Sequence, residues 1–261
     1  MLDKNYTIVF NEQVADQTYL MGLDAPEIVA AAGPGQFVMI RVGPVLDPLL
    51  RRPFSICGTL QGGILLILYK VVGRGTALMA KAEKGDAMTV LGPLGRGFSQ
   101  PRPENRPLLV AGGIGIAPLF FLAQALGEEK LEFLTGYRCA AEIVPFEKVG
   151  LTGINTRIAT DDGSAGRHGF VSELLESRLE NTSQEPVLYA CGPSAMLKVV
   201  AALSLEKGVS CEMSLESFMA CGIGACQGCA VKSSDQIELN YHLICREGPI
   251  FSARAIDWGT L

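Results

Sequence analysis

RPLLVAGGIGIAPLFFLAQALG, residues 106–127, decides the architecture. Its first half is an apolar run of strand length, the pattern of a strand covered on both faces. From Ile116 it is long enough for a helix, and Pro118 falls in the first turn, where a missing N–H is tolerated. Gly112, Gly113 and Gly115 supply a tight strand-to-helix turn between the two. The unit repeats downstream: LEFLTGYR, TRIATDDGS, EPVLYACG and VSCEMS read as strands, VSELLESRL and PSAMLKVVAALSLEKG as helices. Residues 101–215 are therefore expected to form a doubly wound parallel sheet that binds its ligands at the carboxyl ends of the strands.

Upstream of the polar stretch SQPRPENRP the rhythm changes. YTIVFNEQV, YLMGLDA, QFVMIRV, PFSICG, ILLILYKVV and AMTVLG are short β-rich runs separated by Gly and Pro. This spacing predicts a small antiparallel barrel over residues 1–100. One helix is expected within it, TALMAKAEKG, with Thr76 as N-cap and Gly85 as its stop.

Downstream, residues 216–261 carry CGIGACQGC and LICREG, which place Cys221, Cys226, Cys229 and Cys245 in the spacing C-x4-C-x2-C-x15-C. The first three follow the plant-type ferredoxin pattern, in which thiolates hold a 2Fe–2S cluster. Gly222, Gly224 and Gly228 let the loop curl and aim N–H groups at sulfur. Zinc knuckles arrive as two separated pairs, whereas here three thiols fall close together and one stands alone. The start, MLDKNYTIVF, has no apolar signal core, so disulfides are not expected, and Cys57, Cys139, Cys191 and Cys211 read as buried thiols of a reduced compartment. The segment is too short to fold without its metal.

The barrel holds a second signal. In RRPFSI, Arg52 can neutralise a phosphate, Phe54 can face a planar ring and Ser55 can hydrogen-bond a heteroatom; alone, such a segment is also an ordinary strand start. In VGRGTALM, Gly73 and Gly75 precede a helix start that suits a diphosphate. The glycines of AGGIGIAPL likewise allow a dinucleotide close to the backbone, although they do not spell G-x-G-x-x-G, and a tight turn before a packed helix would look the same. In TDDGSAGRHG, Asp161 and Asp162 can accept hydrogen bonds from ribose hydroxyls and repel an extra phosphate. The competing reading is a ligand-free Asp-Asp-Gly turn.

R-x-[FY]-S followed by a G-x-x-[ST] helix start resembles the FAD domain of the ferredoxin–NADP reductase superfamily. The resemblance implies that Arg52, Pro53, Phe54 and Ser55 hold the flavin ring and phosphates, that Leu68, Tyr69 and Lys70 line ring and ribose, and that Gly75 and Thr76 bind the pyrophosphate. It also implies that Cys191, Gly192 and Pro193 lie beside the nicotinamide. Because acids stand where NADP-selective members place Ser and Arg, NAD is the expected dinucleotide.

Length, module order and ESFMACGIGACQGCAV…YHLICREGPIFSARAIDW together resemble the electron-transfer subunits of dihydroorotate dehydrogenase B, over nearly the whole chain. That family implies a relay: a separate FMN-containing subunit oxidises dihydroorotate in pyrimidine synthesis, and electrons pass through 2Fe–2S and FAD to NAD⁺, in an assembly of two catalytic and two electron-transfer subunits. A flavin is needed because the cluster handles electrons singly and NAD⁺ takes a hydride. No acid–base triad is required; His168 and His242 read as surface or hydrogen-bonded residues. Met219, Ile223, Ile250 and Phe251 could form an apolar docking rim or pack the module against the rest. The alternatives are the FAD/2Fe–2S small subunit of an NADH-dependent ferredoxin or sulfide-type oxidoreductase, which often has an aspartate ligand, and a zinc-stabilised non-catalytic binding protein.

The bulk numbers agree. With 261 residues, 48% hydrophobic and 19% charged, the chain can bury a large core. A net charge of −5 argues against nucleic acid, and no apolar run reaches the ~20 residues of a membrane span. A cytoplasmic setting is expected.

Overall fold

The computed structural model describes residues 1–43, 47–128, 131–181, 186–235 and 240–261. The N-terminal strands are β1 (Leu2–Ala15), β2 (Thr18–Asp24), β3 (Phe37–Arg41), β4 (Arg52–Leu60), β5 (Ile64–Lys70) and β6 (Ala87–Leu94). They close into a barrel in the order β1-β2-β5-β4-β3-β6, every pairing antiparallel. Alternation drives the closure: in β6, Met88 and Val90 turn into the barrel while Ala87, Thr89 and Leu91 are less covered. Gly62 and Gly63, both at positive φ, make the turn from β4 to β5.

Two short helices decorate the barrel, α1 (Pro26–Ala31) and α2 (Arg74–Met79). α2 corrects the expected helix. Its N-cap is Gly73, and it ends at Met79 rather than near Gly85. Thr76 sits inside the first turn and its hydroxyl accepts N–H bonds from Val72 and Gly73, at 3.0 and 3.2 Å. A threonine three residues into a helix can close a capping box as well as it can start one, and the sequence pattern does not separate the two.

The α/β region contains β7 (Arg106–Gly112), α3 (Ile116–Leu126), β8 (Glu132–Tyr137), β9 (Asn155–Thr160), β10 (Arg167–His168), α4 (Val171–Glu180), β11 (Pro186–Cys191), α5 (Ser194–Glu206) and β12 (Cys211–Ser214). These strands pair in parallel, in the order β10-β9-β8-β7-β11-β12. The chain runs outward from β7 on one side and returns through β11 on the other, so the crevice between β7 and β11 is the switch point. Between β8 and β9 the connection is two short 3₁₀ turns, Ala140–Glu142 and Phe146–Val149, rather than a helix. α3 is buried from Ile116 through Ala123 because it lies between sheet and barrel: Phe120 joins the core of the sheet, Phe121 that of the barrel. Gln124 fastens the seam, accepting from Thr59 N–H at 3.1 Å and donating to Val149 O at 2.7 Å.

The C-terminal segment adds a ribbon of β13 (Ala230–Lys232) and β14 (Tyr241–Leu243), then β15 (Ile250–Ser252), which pairs antiparallel with β12 at the sheet edge. Ile250 and Phe251 are thereby buried, at 8% and 7% exposure, which settles their role: they pack the module down. Just before them, Gly248 O accepts from Arg96 N–H of the barrel at 2.6 Å, and Pro249 O from Leu215 N–H at 2.9 Å. No helix among the described residues is long and apolar enough to cross a membrane.

Candidate functional site

All eight cysteines are free thiols; Cys57, Cys191 and Cys211 are buried as expected, but Cys139, at the start of the 3₁₀ turn after β8, is only partly covered. In the loop after β12, Gly222 and Gly224 adopt positive φ, and so does Gln227. A Cβ on Gly222 would come within 2.6 Å of Met39, so this glycine serves both the turn and the close seating of the loop on β3. The curl aims backbone N–H groups at sulfur: Ile223 and Cys226 donate to Cys221 Sγ at 3.5 and 3.4 Å, Gly224 to Cys245 Sγ at 3.1 Å, and Cys245 to Cys229 Sγ at 3.4 Å.

Burial raises the pKa of the Cys221 thiol, but these N–H groups outweigh it and bring it down to about 6. Cys245 is pushed up by burial and by neighbouring Cys229. The thiols interact with one another: Cys221 with Cys226, and Cys245 with both Cys229 and Cys221. Among the described residues, no three His, Cys, Asp or Glu side chains surround one point as the ligands of a single ion would. Four thiols drawn together, with backbone N–H donors at the sulfurs, fit a binuclear iron–sulfur cluster, which takes four protein thiolates.

Beside this loop, a cavity of about 360 Å³ opens on the barrel. Arg52, Pro53, Phe54 and Ser55 reach it from β4, Leu68, Tyr69 and Lys70 from β5, and Thr76 from α2. Gly75 lies beneath Arg52: a Cβ there would meet Arg52 Nε at 2.4 Å. The Tyr69 ring meets Phe54 edge-on at 6.1 Å, and its hydroxyl donates to Asn11 Oδ1 at 2.9 Å, so Phe54 is braced from behind. The remaining wall comes from elsewhere in the chain: Ile114 and Ala117 from α3 and its approach, Met219 and Pro249 from the cysteine module. An apolar slot with one guanidinium and few polar groups suits a flavin ring with its phosphates nearby.

A second cavity, about 610 Å³, lies at the switch point. Gly112, Gly113, Gly115, Gly192, Pro193 and Asp161 line it. The glycines are explained by mutual approach of the two loops: a Cβ on Gly115 would meet Cys191 O at 2.5 Å, and one on Gly112 would meet Pro193 at 2.9 Å. Two expected residues stand back from the cavity walls. Cys191 is 1% exposed behind them, its thiol pKa raised by burial. Asp162 turns into its own loop, where Oδ1 accepts the N–H and hydroxyl of Ser164 at 2.9 and 2.6 Å.

The structure also brings in residues that sequence reasoning missed. Phe170, 62% exposed, stands at the cavity mouth near Asp161. Its only sequence signal was an aromatic at a helix start just beyond a glycine-rich turn. Arg138 and Glu142 line the same cavity. Glu142 Oε1 accepts from Lys70 Nζ at 2.8 Å and from Arg138 Nε at 2.8 Å, with Arg138 Nη2 also donating. The Arg138 bonds lead in holding the carboxyl at about 2, against the upward push of burial. Glu216 borders both cavities. Water reaches it through the open cleft, yet protein surrounds it on most sides, and that desolvation raises its pKa.

Residues 216–257 match the family model described as the iron–sulfur cluster binding domain of dihydroorotate dehydrogenase B. The chain is 41% identical to the electron transfer subunit of dihydroorotate dehydrogenase B (NAD(+)) from Desulforamulus reducens, covering 94% of each chain. It is 39% identical to the subunit of the same name from Geobacillus kaustophilus, covering 95% of each. Among solved structures, an NADH-dependent reduced ferredoxin–NADP oxidoreductase studied for flavin-based electron bifurcation superimposes with a TM-score of 0.84 at 30% identity, over 98% of this chain and 91% of that one. Clustered thiols, an apolar barrel cavity and a switch-point cavity thus occur in a chain whose relatives match nearly all of its length, and the protein belongs to the family of electron transfer subunits of NAD(+)-dependent dihydroorotate dehydrogenase B.

Proposed function

We propose that this chain takes electrons from an FMN-containing dihydroorotate dehydrogenase subunit and delivers them to NAD⁺ through a 2Fe–2S cluster and FAD, serving pyrimidine synthesis. The observation that carries this reading is shared walls. Met219 and Pro249 of the cysteine module line the barrel cavity, and Lys70, Ile114 and Glu216 line both the barrel cavity and the switch-point cavity. Three ligands bound in these places would be neighbours in the order the relay needs.

When bound, the cluster passes single electrons, and the flavin converts them to the hydride that NAD⁺ accepts. The protein's own residues bind and orient. Cys221, Cys226, Cys229 and Cys245 would ligate the irons, with the loop N–H groups favouring anionic sulfur. Phe54, braced by Tyr69, would face the flavin, and Arg52 and the backbone at Gly75 and Thr76 would meet its phosphates. Leu68, Pro53 and Ser55 would complete that slot, and Lys70 would lie at the junction with the dinucleotide. The backbone at Gly112, Gly113 and Gly115 would admit the dinucleotide, with Gly192 and Pro193 flanking the nicotinamide and Cys191 supporting them from behind. Asp161 would accept the ribose hydroxyls and Phe170 would offer its face to the adenine, while Asp162 shapes the turn that presents Asp161.

The partner face follows from exposure. Phe218 is 97% exposed and Ile223 48% exposed beside the cysteines, whereas Ile250 and Phe251 are buried. An exposed aromatic next to a redox centre suits docking of the catalytic subunit, in an assembly of two plus two. Buried free thiols at Cys57, Cys191 and Cys211 accord with a reducing, cytoplasmic setting.

Copurification from the native cell tests this reading. The expected result is a coloured complex containing FMN, FAD, iron and labile sulfide that forms orotate with NAD⁺. Colourless, zinc-loaded protein with no flavoprotein partner would refute it. The likeness to the NADH-dependent ferredoxin–NADP oxidoreductase favours a second reading, a small subunit of that type. Recovery of a ferredoxin-linked partner in place of an orotate-forming one would select it. A cysteine at all four ligand positions favours the first.

A further inference from the structure

The barrel and the α/β region are joined by one shared carboxylate. Glu142 is 7% exposed and receives Lys70 from β5 of the barrel and Arg138 from just past the end of β8. Read blandly, Arg138 is a surface ion pair, since 72% of its side chain is exposed, and such pairs contribute little. Two features argue for more. The carboxylate is covered and is shared by cations from two regions of the chain, and all three side chains line the switch-point cavity. Moreover, Nε and Nη2 of Arg138 face Glu142, which leaves the remaining N–H donors of its planar fork turned outward.

The charge balance of that cavity sharpens the point. Among its described lining residues the cations are Lys70 and Arg138, and the carboxylates are Glu142, Asp161 and Glu216. In a net acidic cavity, a cation aimed at the diphosphate bridge adds to what the backbone N–H groups of the glycine turn supply, and a guanidinium matches phosphate oxygens in paired hydrogen bonds.

Resting on the assignment of this cavity to NAD, we propose that Arg138 grips the diphosphate of the dinucleotide, and that Glu142 is a positioning residue that fixes the guanidinium and ties it to the flavin-side Lys70. Lys70 is spent on Glu142, so a single outward-facing cation serves two bridging phosphates and none is left for an additional ribose phosphate. The selectivity for NAD therefore has a second source besides the carboxylate of Asp161.

The test uses the intact complex and two probes, ADP-ribose, which carries the diphosphate, and adenosine, which lacks it, with binding followed by calorimetry. Arg138→Ala should weaken ADP-ribose about tenfold or more, the scale of one lost charge-assisted pair. It should leave adenosine affinity, FAD content and the flavin spectrum unchanged. In turnover it should raise KM for NAD⁺ with kcat nearly kept, as loss of uniform binding does. Arg138→Lys should recover part of the affinity, having the charge without the fork.

Glu142→Gln should weaken ADP-ribose severalfold while Arg138 is still present. Tighter binding in that variant would mean the carboxylate only damps the charge, which would overturn its positioning role. Unchanged ADP-ribose affinity in Arg138→Ala would overturn the grip itself. Val199→Trp, which fills the cavity mouth from exposed α5 surface, keeps the two levels apart. If it blocks both probes while Arg138→Ala blocks neither, only the grip fails. If it leaves ADP-ribose binding intact, the cavity is not the dinucleotide site and both readings fall.

Discussion

The barrel and the cysteine module are built on opposite principles. Ile8, Val38, Ile40, Ile56, Leu65, Ile67 and Val90 are completely buried in the barrel, whose closed hydrogen bonding leaves no free sheet edge. Each such side chain contributes roughly 1.5–3 kcal/mol by leaving water. The module has a ribbon of two three-residue strands and a loop held by N–H···S contacts. Its buried Val231, Ile244 and Phe251 belong to the core of the sheet rather than to one of their own. One region carries a core of its own; the other borrows the core of the sheet it pairs with.

Replacing Cys229, the most deeply buried ligand candidate, tests that contrast hardest. Cys229→Ser should abolish the iron–sulfur EPR signal and NAD⁺-linked orotate formation while FAD remains bound, read by flavin release on heating. Loss of flavin at the same time would show that the barrel depends on the module as much as the reverse. Next in size is Phe121→Ala, which empties a barrel-core position filled from α3 and should cost about 3–5 kcal/mol of stability without altering the EPR signal. Denaturant unfolding monitored by flavin fluorescence checks it, and an unchanged midpoint would remove α3 from the barrel's support.

Asp161→Arg should shift the NADH-to-NADPH preference roughly tenfold toward NADPH, with the cluster spectrum untouched. An unmoved preference would free Asp161 of the role. The smallest effect concerns acid stability. The Glu142 carboxyl has its pKa lowered to about 2 from the ordinary value of 4.5, chiefly by Arg138. A depressed carboxyl stabilises the fold fully above the unfolded value, and that contribution is lost as pH falls toward the folded one. The melting temperature should therefore drop more steeply between pH 4.5 and 2 in the native protein than in Glu142→Gln. Parallel curves would deny the seam this ionic support.

What the sequence made legible was local. Strand alternation and glycine turns act within a few residues, so all six barrel strands and the β7–α3 unit could be read directly, and cysteine spacing singled out four thiols that the fold brings together. The ionic seam could not: Lys70 and Glu142 are 72 residues apart, and nothing near either advertises the other. Thr76 misled because one threonine pattern fits two positions in a helix turn. The place of Ile250 and Phe251 stayed open because an apolar pair looks the same whether it meets a partner or its own sheet. Cys191 and Asp162 illustrate a subtler limit: motif position puts them beside the switch-point cavity, but neither lines it, Cys191 being buried behind the wall and Asp162 turned into its own loop.

Gly248 and Pro249 are hydrogen-bonded to Arg96 on one side and Leu215 on the other, a few residues after Cys245. A chain pinned this way resists any scissoring of its two large lobes, since opening would strip backbone bonds on both flanks at once. Dinucleotide traffic would then pass through the standing portal at Phe170 and Val199, and the spacing of the electron carriers would hold constant from one turnover to the next.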